Sequence, residues 1–216
     1  MYPKINNATV CGTVAQEPVS RVNKEGKSFY TFPVNVSIPE KNGGGGKILL
    51  IDAIVDGDDG KDKIMPNWRV FLKGNIVAKK RDGILRPTLY VENTDLTSGK
   101  DRSDGIMGEM NFLGKVGKDI RMHTDKRGKQ YLTYSGYTYE KLQDGTYDNT
   151  WVRFISFSAE RPAWLEPKVW VNVHGAVTFS VYKGRIELGC RVSSHSKWNW
   201  DADNNTSSDA SNLTMV

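Results

Sequence analysis

The chain has 216 residues, 38% of them hydrophobic and 25% charged, and no apolar run approaches the roughly 20 residues that a bilayer-spanning helix needs. Its opening residues, Met1-Tyr2-Pro3-Lys4-Ile5-Asn6, lack the apolar stretch of a secretory signal, so a cytoplasmic protein without membrane association is expected. The net charge of +5 divides into +8 over residues 1–197 (30 basic, 22 acidic) and −3 over residues 198–216 (none basic, 3 acidic), and a basic body favours a polyanionic partner.

In chain order, the first half predicts five short strands at 8–14, 28–36, 48–55, 68–76 and 87–91, separated by Gly, Asn, Asp and Lys turns. Residues 61–65 leave room for a short helix, which Pro66 ends. Four consecutive glycines within 42–46 predict a hairpin tip, and the polar stretch 97–107 predicts an interdomain linker. The second half predicts strands at 109–116, 130–139, 150–157, 169–177 and 185–192, with room for a helix at 158–166 limited by Pro162 and Pro167. From 201 to 216 the chain is Asn, Ser, Asp and Thr with almost nothing to bury, so a disordered tail is expected.

The halves repeat one another. Gly12, Gly26 and Gly74 are spaced by 14 and 48 residues, and Gly114, Gly128 and Gly175 by 14 and 47, each beside matching apolar residues. Two domains follow, 1–96 and 108–200. Five strands with a short helix between the third and fourth is the layout of the OB fold, so the prediction is an all-β chain of two tandem five-stranded OB-fold barrels. In that fold the binding surface is built from strands 2 and 3 with loops 1–2 and 4–5.

Signals for catalysis or a metal are poor. His123, His174 and His195 have no metal-ligand spacing with each other or with Cys11 and Cys190, which read as buried thiols. The acidic loop 56–62 has a misplaced glycine and no closing glutamate for calcium, and no nucleophile sits in a recognisable strained turn. A non-enzyme without metal or cofactor is expected.

The stretch 149–157 carries the strongest functional signal. Its alternation places Trp151, Arg153, Ile155 and Phe157 on one face and Val152, Phe154 and Ser156 on the other. An aromatic surface beside a fixed cation suits an unpaired base and its phosphate, and stacking of about 1 to 3 kcal/mol per base tolerates any base sequence. On the preceding strand Tyr131, Tyr137 and Tyr139 share a face with Thr133 and Ser135, too polar and aromatic for a core. Loop 1–2 adds Arg121, Lys126, Arg127 and Lys129, and hairpin 4–5 adds Lys183 and Arg185 beside Tyr182.

The first copy is poorer. It offers basic turns at Lys24 and Lys27 and at Lys79, Lys80 and Arg81, with Phe29 and Tyr30 as stacking candidates. Laying its third strand on 149–157 puts Leu49 or Leu50 at the place of Trp151, Ile51 or Asp52 at that of Arg153, and Val55 or Asp56 at that of Phe157. One register leaves Leu49, Ile51, Ala53 and Val55 as an exposed aliphatic face for a partner barrel.

The second copy resembles the bacterial and phage single-stranded-DNA-binding protein family. The likeness lies in Met110-Asn111-Phe112-Leu113-Gly114-Lys115-Val116-Gly117-Lys118-Asp119, Lys126-Arg127-Gly128-Lys129, Thr150 to Phe157, and Val169-Trp170-Val171-Asn172-Val173-His174-Gly175. It implies that Trp151 and Phe157 stack on bases, that Arg153 meets phosphate, and that Tyr182, seven residues past the strand-4 glycine, stacks too. Family members commonly gather four barrels, which implies a homodimer here. They usually end in an acidic tail with an apolar tip that recruits replication and repair proteins; Ser211-Asn212-Leu213-Thr214-Met215-Val216 departs from that pattern. Sequence-independent binding of single-stranded DNA in replication, recombination or repair is the expected function. An OB module for structured RNA or a replication protein is the alternative.

Overall fold

The computed structural model describes residues 2–40, 46–81, 83–95, 101–142 and 144–199. The predicted hairpin tip apart from Gly46, the linker residues 97–100 and the tail 201–216 lie outside them. In chain order the strands are β1 (Lys4–Val14), β2 (Val19–Val22), β3 (Ser28–Ile38), β4 (Lys47–Asp56), β5 (Arg69–Val77), β6 (Lys80–Arg81), β7 (Ile84–Leu85), β8 (Thr88–Asp95), β9 (Gly105–Thr124), β10 (Gln130–Lys141), β11 (Tyr147–Ser156), β12 (Trp170–Tyr182) and β13 (Arg185–Lys197). The room for a helix is used only by a 3-10 turn at Lys61–Lys63, and 158–166 forms none.

Two closed rings result. β1 pairs antiparallel with β3 and β5, β3 with β4, and β5 with β8, and a parallel pairing of β8 with β4 completes the circuit. The second ring repeats it: β9 with β10 and β12, β10 with β11, β12 with β13, and β13 parallel to β11. These are OB-fold barrels.

Alternation fixes what faces in. Tyr30, Phe32, Val34 and Val36 of β3, Leu49, Ile51 and Ala53 of β4, Leu132 and Tyr134 of β10, and Val152 and Phe154 of β11 are all buried. Phe154 packs against Phe112 and Tyr134 with ring centroids 5.0 and 4.9 Å apart. Two expectations are corrected by this register. Leu49, Ile51 and Ala53 are not an exposed face, because they fill the first barrel's interior where Val152 and Phe154 fill the second's. Tyr30 is 2% exposed and packs on Phe32 inside the same barrel, so no base can reach its ring.

The barrels are joined through β1 and β9, which pair antiparallel with Lys4 opposite Asn111, Ile5 opposite Met110 and Cys11 opposite Gly105. Gly105, Ile106 and Met107 of the predicted linker are therefore strand residues. Among the described residues one sheet of eleven strands runs through both rings, and Ile5 and Met110 are fully buried at the junction. Hairpins cross the same junction. Glu40 of the first barrel bridges Val181, and the β6–β7 hairpin lies against β11. Cys11 and Cys190 are buried thiols that form no disulfide, and burial pushes the Cys190 thiol up to about 12.

Candidate nucleic-acid interface

On the outer face of β9, β10 and β11 the pairing registers build rows of side chains. Tyr137 lies across from Trp151 and Ser135 across from Arg153, while β9 sets His123 beside Tyr131, Arg121 beside Thr133 and Lys115 beside Tyr137. Rings meet along these rows. Tyr137 and Trp151 have centroids 4.8 Å apart, His123 and Tyr131 stack at 4.9 Å with 19° between planes, and Tyr131 tilts toward Phe157 at 6.4 Å. The interior positions of β11 are already taken by Val152 and Phe154, so Trp151 has nowhere to be buried and stands 45% exposed. Phe157 at 66% and Tyr182 at 50% are more open still. Tyr139 and Tyr147 extend the track at its far end, edge to face at 5.8 Å.

Cations border four of the rings, Tyr182, Phe157, Tyr139 and Trp170. The Arg153 guanidinium is 5.9 Å from the Tyr182 ring and Lys183 is 5.4 Å from it; Arg191 is 5.7 Å from Phe157; Lys115 lies 5.5 Å from Tyr139 and 5.6 Å from Trp170. Such contacts are worth about 0.5 to 1 kcal/mol at exposed sites. Two carboxylates intrude: Glu187 is 3.8 Å from Arg153, and Asp119 is 3.4 Å from Arg121. Lys126, Arg127 and Lys129 are exposed on the β9–β10 turn. Asp125 shapes that turn by accepting from the backbone N–H groups of Arg127 and Lys129, both at 2.8 Å.

The face opens into a cleft of about 530 Å³ whose lining includes Arg121, Trp151, Arg153, Tyr182 and Arg185. Lys80 and Leu85 of the first barrel line it as well. Beneath the indole is Gly117, where an added Cβ would crowd Ser135 Oγ and come within 3.0 Å of Trp151 Cζ3. Gly117 therefore makes the seat of the indole. Of the predicted residues of the second copy, the structure gathers Trp151, Arg153, Phe157, Tyr131, Tyr137, Tyr139, Arg121, Tyr182, Lys183 and Arg185 onto one face and its edge. His123, Lys115, Trp170, Tyr147 and Arg191 join them unannounced. Lys115 stood in the repeated first-strand motif and Tyr147 in line with the alternation of 149–157, which were the available signals.

In the first barrel the pairing of Ala53 with Leu89 corresponds to that of Phe154 with Cys190, which settles the register. Leu50 then stands at the place of Trp151, Asp52 at that of Arg153 and Asp56 at that of Phe157. Asp52 accepts two hydrogen bonds from Arg86. The first barrel's own cleft, about 430 Å³, is lined by Glu17, Arg21, Phe29, Asp52, Ile54 and Arg86 among others, so its carboxylates and guanidinium groups balance. Phe29 lines this cleft, and the other ring there, Phe32, is buried in the barrel interior, so no exposed pair of rings like Trp151 and Tyr137 forms there among the described residues. Lys24 and Lys27 are exposed on the β2–β3 turn, with Lys27 3.3 Å from Glu25. Lys79 is half-buried with its Nζ 3.9 Å from the Tyr2 ring, Lys80 faces the second barrel's cleft, and Arg81 belongs to β6.

Among the described residues no group of three or more His, Cys, Asp or Glu could hold a metal ion, and no helix is long and apolar enough to cross a membrane.

No family model matches the chain, and no curated protein matches it. Among solved structures, it is similar to the wild-type single-stranded DNA binding protein from Thermus aquaticus at 12% identity over 91% of this chain and 94% of that one, with a TM-score of 0.48. A deletion mutant of the same protein aligns at 13% identity over 91% and 95%, with a TM-score of 0.47. The small single-stranded DNA-binding protein from Streptomyces coelicolor aligns at 14% identity over 46% of this chain and 100% of its own, with a TM-score of 0.35.

Proposed function

We propose that this protein binds single-stranded DNA without sequence preference, on the outer face of β9, β10 and β11, and so serves replication, recombination or repair. The supporting observation is the pairing of Trp151 with Tyr137 on an exposed strand face, flanked by Phe157 and Tyr182 and bordered by Arg153, Lys183 and Arg191. Stacking platforms with cations at their edges accept any base and its phosphate, whereas a duplex hides its base faces. Assembly of two chains, giving four barrels, belongs to the same proposal.

Tryptophan fluorescence during titration with oligo(dT), duplex DNA and structured RNA tests it. Strong quenching by oligo(dT) alone is expected. Quenching by structured RNA with none by oligo(dT) would replace the proposal with the RNA-binding alternative.

A further inference from the structure

The β6–β7 hairpin of the first barrel does not serve its own barrel's face. It is turned across the junction, so that Lys80 and Leu85 line the cleft containing Trp151, Arg153 and Tyr182. Its placement is built rather than incidental. The β1–β9 pairing fixes the two barrels in one sheet, Leu85 packs against the apolar core, and Lys79 covers the Tyr2 ring. The Tyr2 hydroxyl in turn lies beside Glu140 on β10, near Asp148 on β11, and burial together with these carboxylates raises it to about 12.

Charge in the cleft says what it takes. Its lining holds four cations, Lys80, Arg121, Arg153 and Arg185, and two carboxylates, Asp119 and Glu187. Asp119 is engaged by Arg121 and Glu187 by Arg153. Among the described residues neither Lys80 nor Arg185 has an ion-pair partner, and they stand on the 4–5 hairpins of different barrels. The first barrel's own cleft is neutral by comparison.

We propose that the DNA site is composite: a strand whose base stacks at Trp151 and Tyr182 has its phosphate held between Lys80 of the first barrel and Arg185 of the second. The first barrel is then a clamp for the second barrel's strand and not a second, weaker platform. This rests on the single-strand reading above.

The test uses the full chain and an oligo(dT) of about six nucleotides, near the low end of the roughly 4 to 16 that one OB fold covers. Lys80→Ala should weaken binding several-fold and lower the slope of log affinity against log salt by about 0.7, the value for one phosphate on a single strand. Lys80→Gln, which keeps the side-chain stem, should lower the slope equally. Lys63→Ala, which removes one charge from the first barrel at a residue outside both clefts, should leave slope and affinity alone. If the Lys80 variants bind like the parent while Trp151→Ala is weakened, the composite site is wrong and the proposed function stands. If Trp151→Ala also binds like the parent, the strand-face reading itself fails and the composite site with it. Equal slope losses in Lys80→Ala and Lys63→Ala would reduce the effect to net charge and overturn the clamp.

Discussion

Arg86 closes on Asp52 with two hydrogen bonds, Nε to Oδ2 at 2.9 Å and Nη2 to Oδ1 at 3.0 Å, at the strand position where the second barrel carries Arg153. The bidentate geometry occupies the guanidinium fork that a phosphate would need. One barrel thus ties up its cation at the place where the other presents one.

Asp52→Asn should return part of that capacity. With a long oligo(dT) that reaches both barrels, the salt slope should steepen by up to about 0.7 as Arg86 gains a phosphate. With the six-nucleotide strand it should not change, because Arg86 is absent from the cleft that Trp151 lines. An unchanged slope on the long strand would mean that DNA does not pass over the first barrel's face.

Trp151 and Arg153 should fail differently. Trp151→Ala should weaken oligo(dT) binding by about 1 to 3 kcal/mol with little change in salt slope, since a stacked base carries no counterion contribution. Arg153→Ala should lower the slope, and Glu187→Gln should tighten binding modestly by removing the carboxylate that competes for Arg153 at 3.8 Å. Affinities at three salt concentrations separate the three outcomes.

Much of the architecture was legible because the repeated glycines each have a local cause. A Cβ at Gly12 would strike the Asn35 carbonyl oxygen and one at Gly114 that of Tyr137, equivalent strands meeting at equivalent points. Gly26 and Gly128 sit in matching turns at φ +80° and +79°, each closed by the residue three earlier, Asn23 or Asp125. The alternation of 149–157 likewise sorted its residues correctly, because the two faces differ in chemistry. In β4 they do not: Ile48, Leu50 and Ile54 face outward and Leu49, Ile51 and Ala53 inward, so apolar pattern alone could not choose between two registers that a one-residue slip exchanges. The composite cleft was illegible for another reason. Lys80 and Trp151 line one cleft because the two barrels meet across the β1–β9 pairing, a contact between residues about a hundred positions apart that leaves no periodic trace.

A pH dependence follows from the inner edge of the second barrel. His195 is hydrogen-bonded through Nδ1 to the Tyr134 hydroxyl at 2.8 Å and meets Trp164 edge to face, and burial lowers its pKa from the ordinary value of 6.5. Below 6.5 the unfolded chain therefore binds the proton more readily than the folded one. Stability should fall as pH drops from 6.5 toward the lower pKa of the folded state, and level off below it. Urea unfolding across neutral and mildly acidic pH measures the effect. His195→Gln should flatten the profile in that window; a slope unchanged by the substitution would assign the dependence to other groups.

The seat of the indole gives the most local test. Gly117 lies on β9 beneath Trp151, and the Cβ of Gly117→Ala would meet Ser135 Oγ on one side and Trp151 Cζ3 at 3.0 Å on the other. The Ser135 hydroxyl is at the end of a short side chain and can rotate; the indole is larger, is paired with Tyr137 and can yield only by tilting off the plane that a base would share. Crowding of this kind costs about 1 to 3 kcal/mol when a buried core absorbs it, and less at an exposed ring, so the fold should persist with a small fall in Tm. The expected result is a loss of oligo(dT) affinity smaller than that of Trp151→Ala, with the salt slope unchanged. In the Trp151→Ala background Gly117→Ala should have almost no further effect, because the ring it displaces is gone. Additive losses in the double variant would show that Gly117 acts through the sheet and not through the stacking platform.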